Sequence, residues 1–345
     1  MFIMKKVVLI LAAAATLAAC SKTEVAPVTS NENSEITFNV APRTKADLNP
    51  ENDFNHDNVF ASWAYYLAPG STWDANSADA KSYIVNSTVS YQSNDSWKNT
   101  DKSYYWPKDG GSLTFFAYSL NKSDLELNDN DKQHPSGFTC LPDNGITGHI
   151  DLQANPNVDF LVADIAKDQK ANSRTYYHNG VPTLFRHRLS RVECKVKTNG
   201  YANTSFTLNS IKFTNLSHYA TYGQLPSETI SPSGTKVDFD YTAVTQNVTT
   251  EMTVVAKEKN VIYIPQSFED ENAKIEVSYT VTYSPEGSEK DVVMNCVASY
   301  PIKNYFAKWE MGKRYIFNIT FTLDEVLWDP YVQDWEDVTK DITIE

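Results

Sequence analysis

The most specific chemistry in the sequence sits near its start, where Leu17, Ala18, Ala19 and Cys20 close an apolar run that follows Lys5 and Lys6. A charged beginning, about 13 apolar residues and small residues before the break are the layout of a secretion signal. The run is too short to span a bilayer, which takes roughly 20 residues. A thiol directly after that tetrapeptide resembles the lipobox of bacterial lipoproteins. There the sulfur takes a diacylglyceryl group through a thioether, and cleavage leaves the cysteine as the new N-terminus. Cys20 is therefore expected to be lipidated, with its acyl chains holding the mature protein at a membrane outside the cytoplasm.

The other reactive side chains do not assemble into a motif. Cys140, Cys194 and Cys296 are odd in number and lack CxxC spacing, and Cys194 falls in phase with Val192 and Val196 as a small core residue. The histidines, His56, His134, His149, His178, His187 and His218, show no HExxH pairing, and His187 lies between Arg186 and Arg188, a poor setting for a metal cation. Neither a GxSxG elbow nor a P-loop is present. The oxygen-rich stretch of Asn128, Asp129, Asn130 and Asp131 lacks the glycine and distal glutamate of a calcium loop and reads as a solvated turn. No catalysis, metal or cofactor is expected. Two aromatic clusters could stack on sugar rings: Trp63, Tyr65 and Tyr66, and again Tyr104, Tyr105 and Trp106. Arg43 and Lys45 lie in a loop of Pro, Asn and Asp residues, the kind of segment that proteases reach.

These residues need a scaffold, and its composition is that of a β protein. Of 345 residues 41% are hydrophobic and 12% aromatic, with 20 Tyr and only 12 Gly, so the chain can fill cores with flat side chains and is not disordered. Its length suggests two domains. Lys and Arg number 30 against 43 acidic residues, a net charge of −13 that becomes more negative when Lys5 and Lys6 leave with the leader. Such a chain has nothing with which to hold a phosphate backbone, and nucleic acid is excluded as a partner. Residues 1–19 are the leader, and residues 20–34 are small and polar, suited to a flexible linker.

From residue 35 onward strand patterns succeed one another with turn residues between them. Ile36, Phe38 and Val40 alternate in the first. Ile275, Val277, Tyr279, Val281 and Tyr283 do so in a later one, and Tyr315, Phe317, Ile319, Phe321 and Leu323 in another. Helical periodicity is almost absent. The pattern predicts two antiparallel β-sandwiches, over residues 35–180 and 181–345, divided near the turn residues YYHNGVP.

The leader, the early ITF strand before an Arg-containing loop, VDFLVAD at 158–164, LFRHRLSRVECKV at 184–196, IYIPQ at 262–266 and WEMGKRYIFNITF at 309–321 together resemble the fimbrillin family. Its members are lipoprotein-derived type V pilins and accessory subunits of Gram-negative gut and oral bacteria. The resemblance spans nearly the whole chain. It implies two tandem transthyretin-like sandwiches and export to the outer membrane as a lipoprotein. It further implies cleavage by an arginine-specific protease after the first strand and filling of the emptied groove by a strand from another subunit. Carried onto this sequence, the removable strand is 35–40, with Ile36, Phe38 and Val40 as its apolar face. The cut follows Arg43, with Lys45 as a second basic position.

Alternatives stay open. The subunit could keep its lipid and act as an anchor or accessory protein, or the chain could be a lipid-anchored surface protein that binds glycans. The partners would be other subunits, or a host glycan or protein. At the C-terminus, residues 326–344 could form a donor strand, or Trp328 and Trp335 could simply close the second sandwich. Pro330 is expected to interrupt any long strand there.

Overall fold

The computed structural model describes residues 34–40, 54, 56–92, 96–122, 137–154, 156, 158–171, 180–243, 245–255, 261–287, 290–323 and 326–334. Cys20, Arg43 and Lys45, the leader and most of the linker lie outside them. The protein is almost entirely β. Its strands in chain order are β1 (Phe38–Val40), β2 (Val59–Leu67), β3 (Lys81–Gln92), β4 (Ser96–Asn99), β5 (Ser112–Lys122), β6 (Thr139–Leu141) and β7 (Gly145–Asp151). They continue with β8 (Val158–Ala163), β9 (Ala166–Gln169), β10 (Val181–Thr183), β11 (Phe185–His187), β12 (Ser190–Thr198), β13 (Thr204–Gly223) and β14 (Thr229–Thr242). The last seven are β15 (Gln246–Val248), β16 (Thr253–Val254), β17 (Ile262–Tyr263), β18 (Lys274–Tyr283), β19 (Val292–Pro301), β20 (Lys313–Phe321) and β21 (Val326–Asp334). One short helix, α1 (Trp73–Asn76), buries Trp73. Among the described residues no helix is long and apolar enough to cross a membrane.

The described strands form three sheets. The first has the order β10-β1-β4-β3-β2-β5-β8-β11, with β9 also on β5. Its two ends, β10 and β11, are separated in the chain by Leu184 alone, so the sheet rolls back on itself. Inside the roll Phe185 of β11 packs against Phe60 of β2 at 5.3 Å between ring centroids. Ile36, Phe38, Trp97, Phe115, Val181 and others complete this core.

Three of the strands between the ends, β2, β5 and β8, are buried on both faces. Phe60 and Ala64 of β2 point into the roll, whereas Trp63 and Tyr65 enter a second, larger core, and all six residues of β8 are buried. VDFLVA is thus a continuous apolar run because it has no solvent face. The second sheet, β19-β18-β13-β7-β6 with β14 and β15 on β13, and the third, β16-β12-β20-β21 with β17 on β12, close around that larger core. β7 pairs with β13 from Asp151↔Tyr219 to Thr147↔Gly223, so a strand from before residue 180 extends a sheet formed mainly after it.

Alternation holds where one face meets solvent, as in β12, in which every second residue from Ser190 to Thr198 is buried. Trp309, fully buried, sits against Phe268, Tyr263 and Phe213 at 5.0, 5.2 and 5.9 Å. Two ladders among the described strands are parallel, β1 with β10 and β12 with β20. Pro330 does not interrupt β21, which pairs with β20 over its whole length, Pro330 standing opposite Phe317. β21 is the outermost of the described strands of its sheet, the place where a strand tolerates a residue without an N–H donor.

A candidate strand slot

The expected removable strand occupies an interior position of the rolled sheet, between β10 on one side and β4 on the other. Phe38, Asn39 and Val40 run parallel to Val181, Pro182 and Thr183, and Phe38 also pairs antiparallel with Trp97. Just before β1 the chain is tied down on the β4 side. The Ile36 N–H donates to the Tyr104 carbonyl at 2.7 Å, and the Trp106 N–H donates to the Ser34 carbonyl at 3.2 Å. On the β10 side the Val181 N–H donates to the Thr37 carbonyl at 2.7 Å.

The apolar face is seated as deeply as any core strand. Ile36 and Phe38 are each 1% exposed, and Val40 packs partly buried against the same core. The Phe38 ring meets Phe60 edge-on at 5.4 Å and Phe115 at 5.8 Å, the arrangement that ring quadrupoles favour. Burying side chains of this size contributes about 1.5–3 kcal/mol each. The polar end is held by charge: Glu35 accepts from Lys98 Nζ at 2.5 Å and from Ser103 Oγ at 2.6 Å. The Lys98 hydrogen bond, and after it the one from Ser103, draws the Glu35 carboxyl below its ordinary value.

Gly180 sets how closely β10 approaches. It has φ of +141°, and a Cβ there would stand 2.7 Å from the Thr37 oxygen and 2.8 Å from the Phe38 carbonyl carbon. In the sequence the YYHNGVP glycine reads as a turn residue, and Trp97, Lys98 and Gly180 carry no mark of this strand. Their partners are far away in the chain, and nothing local announces them.

The far end of the roll is fixed by ion pairs. In the FRHR stretch Arg186 donates to both oxygens of Asp164, at 2.6 and 2.8 Å, and His187 Nδ1 lies 2.5 Å from Asp159. Arg188 binds Glu228, which also accepts from the Tyr222 hydroxyl. Each basic residue of this motif therefore has an acidic partner, including the His187 that looked unsuited to a metal.

The aromatic clusters are mostly structural. Trp63, Tyr65 and Tyr104 are buried, with Trp63 stacked on Tyr118 at 5.6 Å. The Tyr65 hydroxyl donates to the Cys140 carbonyl at 2.6 Å. Tyr105, at 49% exposed, is the most open ring of the six. Cys140 and Cys194 are buried, Cys296 is half-buried and none of the three is in a disulfide. Burial pushes the Cys140 thiol far up. Among the described residues no group of three or more His, Cys, Asp or Glu side chains could hold a metal ion.

Comparison with known proteins adds a family. Residues 44–335 match the model of a family described as fimbrillin-like. No curated protein matches the sequence. Among solved structures, a fimbrial protein from Bacteroides vulgatus superposes with a TM-score of 0.62 at 19% identity, covering 87% of this chain and 99% of its own. A candidate cell adhesion protein from Bacteroides uniformis gives a TM-score of 0.52 at 15% identity, covering 87% of this chain and 99% of its own. At these identities the likeness is one of fold.

Proposed function

The chain belongs to the fimbrillin-like family, and from that premise we propose that it is a fimbrial subunit, or a tip or anchor adhesin, of the bacterial surface. It is exported as a lipoprotein through Cys20 and assembled by strand addition once residues 35–40 are cut away after Arg43, or after Lys45 by a less selective protease.

The observation that carries this reading is the position of Phe38. A segment that the chain continues toward Arg43 fills an interior lane of a sheet, with β10 and β4 pairing to its two sides and Phe60 and Phe115 beneath it. Its loss leaves unpaired backbone on both neighbouring strands and an uncovered apolar floor. Such a gap binds an extended segment that supplies both, hydrogen bonds giving affinity and alternate side chains giving specificity. The division into units of 35–180 and 181–345 is part of the same proposal.

The test is limited proteolysis of the purified chain with an arginine-specific protease, mapping the cut by mass spectrometry and following size by chromatography, with Arg43→Ala alongside. Cleavage after Arg43 followed by oligomers that the variant cannot form supports the proposal. Resistance at Arg43, or a cut protein that stays monomeric with candidate partner subunits, removes it in favour of a permanently anchored lipoprotein.

A further inference from the structure

β12 and β20 lie side by side in the third sheet, parallel, and pair from Arg191↔Arg314 to Thr198↔Phe321. Val192, Cys194 and Val196 of one strand and Tyr315, Phe317 and Ile319 of the other face the larger core. The alternate residues, Glu193 and Lys195 on β12 and Ile316 and Asn318 on β20, share the opposite face. That face is largely closed to water. Ile316, opposite Glu193, is 1% exposed, and the side chains of Glu193 and Lys195 are 15% and 27% exposed. Only one register pair of this ladder sets an amine against a carboxamide, Lys195↔Asn318. Lys195 Nζ stands 3.1 Å from Glu193 Oε1, two residues back on its own strand, and Arg314 lies 3.8 Å from the other Glu193 oxygen. Asn318 is nearer to the Lys195 backbone than Glu193 is, about 5 Å across the ladder against about 6.5 Å along the strand, so the amine has the reach. The Asn318 amide oxygen is buried and has no hydrogen-bond partner among the described residues. A buried acceptor left unmet calls for an explanation.

We propose that Lys195 and Asn318 join in an intramolecular amide, with Glu193 moving the protons. The order of events follows from the contacts. Glu193 takes a proton from the Lys195 ammonium, which frees the lone pair on Nζ, the way a lysine nucleophile is activated by an adjacent base. Nζ then adds to Cγ of Asn318 and the bond from Cγ to Nδ2 breaks. Nδ2 leaves as an ammonium ion, carrying the proton held by Glu193 and one from the attacking amine. Glu193 ends as the carboxylate it was, and neither an oxidant nor a cofactor is consumed. The ladder supplies the rest: two groups held opposite each other need no encounter through solution. The product closes the chain from β13 to β19 into a covalent ring and stops β12 and β20 from sliding past one another. A sheet locked in this way resists a pull on the chain. That benefit rests on the role proposed above; the bond itself is independent of processing at Arg43.

The test is the mass of the uncut chain, carrying Cys20→Ala to keep it free of lipid, purified folded and then denatured for intact mass spectrometry. It is expected to fall short of its sequence mass by one ammonia. A tryptic digest should contain a species in which the peptides holding Lys195 and Asn318 are joined, with no cut after Lys195. Lys195→Arg, which keeps the charge, and Asn318→Ala should each show their full mass. Glu193→Gln should fold, as judged by circular dichroism, and also keep its full mass. A parent chain at full mass overturns the proposal. So does an ammonia loss that persists in Lys195→Arg or Asn318→Ala, which would put the loss elsewhere in the chain, or a Glu193→Gln chain that cross-links as completely as the parent.

Discussion

Gly180 and Phe38 approach so closely that a single added carbon would collide: a Cβ on Gly180 would lie 2.8 Å from the Phe38 carbonyl carbon. The backbone at Gly180 is also in a region that side chains rarely adopt, with φ of +141°. Gly180→Ala is expected to destabilise the uncut protein by about 1–3 kcal/mol. Hydrogen exchange should show the loss concentrated at the Val181 amide, which donates to Thr37; a uniform loss across the molecule would contradict this.

Phe38→Ala empties a site lined by Phe60 and Phe115. In the uncut chain the expected cost is about 3–5 kcal/mol, read by chemical denaturation. A peptide of residues 35–40 should refill the slot of a chain cut after Arg43 and freed of that segment, and its Phe38→Ala form should bind at least about tenfold more weakly. Equal binding of the two peptides would place Phe38 outside the mechanism.

The Glu35 contacts predict acid sensitivity at one end of the slot. The folded carboxyl is held below its unfolded value by Lys98 and Ser103. Its contribution is therefore present above the unfolded value, about 4.3, and is lost as pH falls through the folded one. Proteolytic susceptibility of the 34–40 segment should rise on acidification, and Glu35→Gln should flatten that rise. An unchanged profile in the variant would show that the pair does not govern it.

Tyr65 spans two sheets, its hydroxyl on β2 reaching the Cys140 carbonyl on β6 at 2.6 Å in a buried setting. Tyr65→Phe leaves that carbonyl without its donor and should cost about 1–3 kcal/mol in denaturant unfolding. A loss below a few tenths would mean that the acceptor finds another donor.

The one-sided strands were legible because a period of two needs only local residues. Val192, Cys194 and Val196, or Ile275 and Val277, mark their faces without help. The central strands were less so, since β8 buries both faces and its VDFLVA run carries no alternation to read. Pro330 misled for a related reason: whether a proline stops a strand depends on which neighbour that strand lacks. Within the slot, Ile36, Phe38 and Val40 could be named as one face from their spacing alone. Trp97, Lys98 and Gly180 could not, because the pairings that make them neighbours of residues 34–40 join distant parts of the chain. The three acids that answer FRHR are scattered in the same way, at Asp159, Asp164 and Glu228.

The parallel ladder between Phe38 and Val181 also sets an order of events in time. A chain that emerges N-terminus first presents Phe38 long before Val181 exists to meet it, whereas β2 and β3 can form their hairpin at once. Closing so long a loop is slow compared with local pairing. The first strand of the chain is therefore among the last to lock. Pulse-labelled hydrogen exchange during refolding should find the Ile36 and Val181 amides protected together, and later than the amides of Ala61 and Trp63.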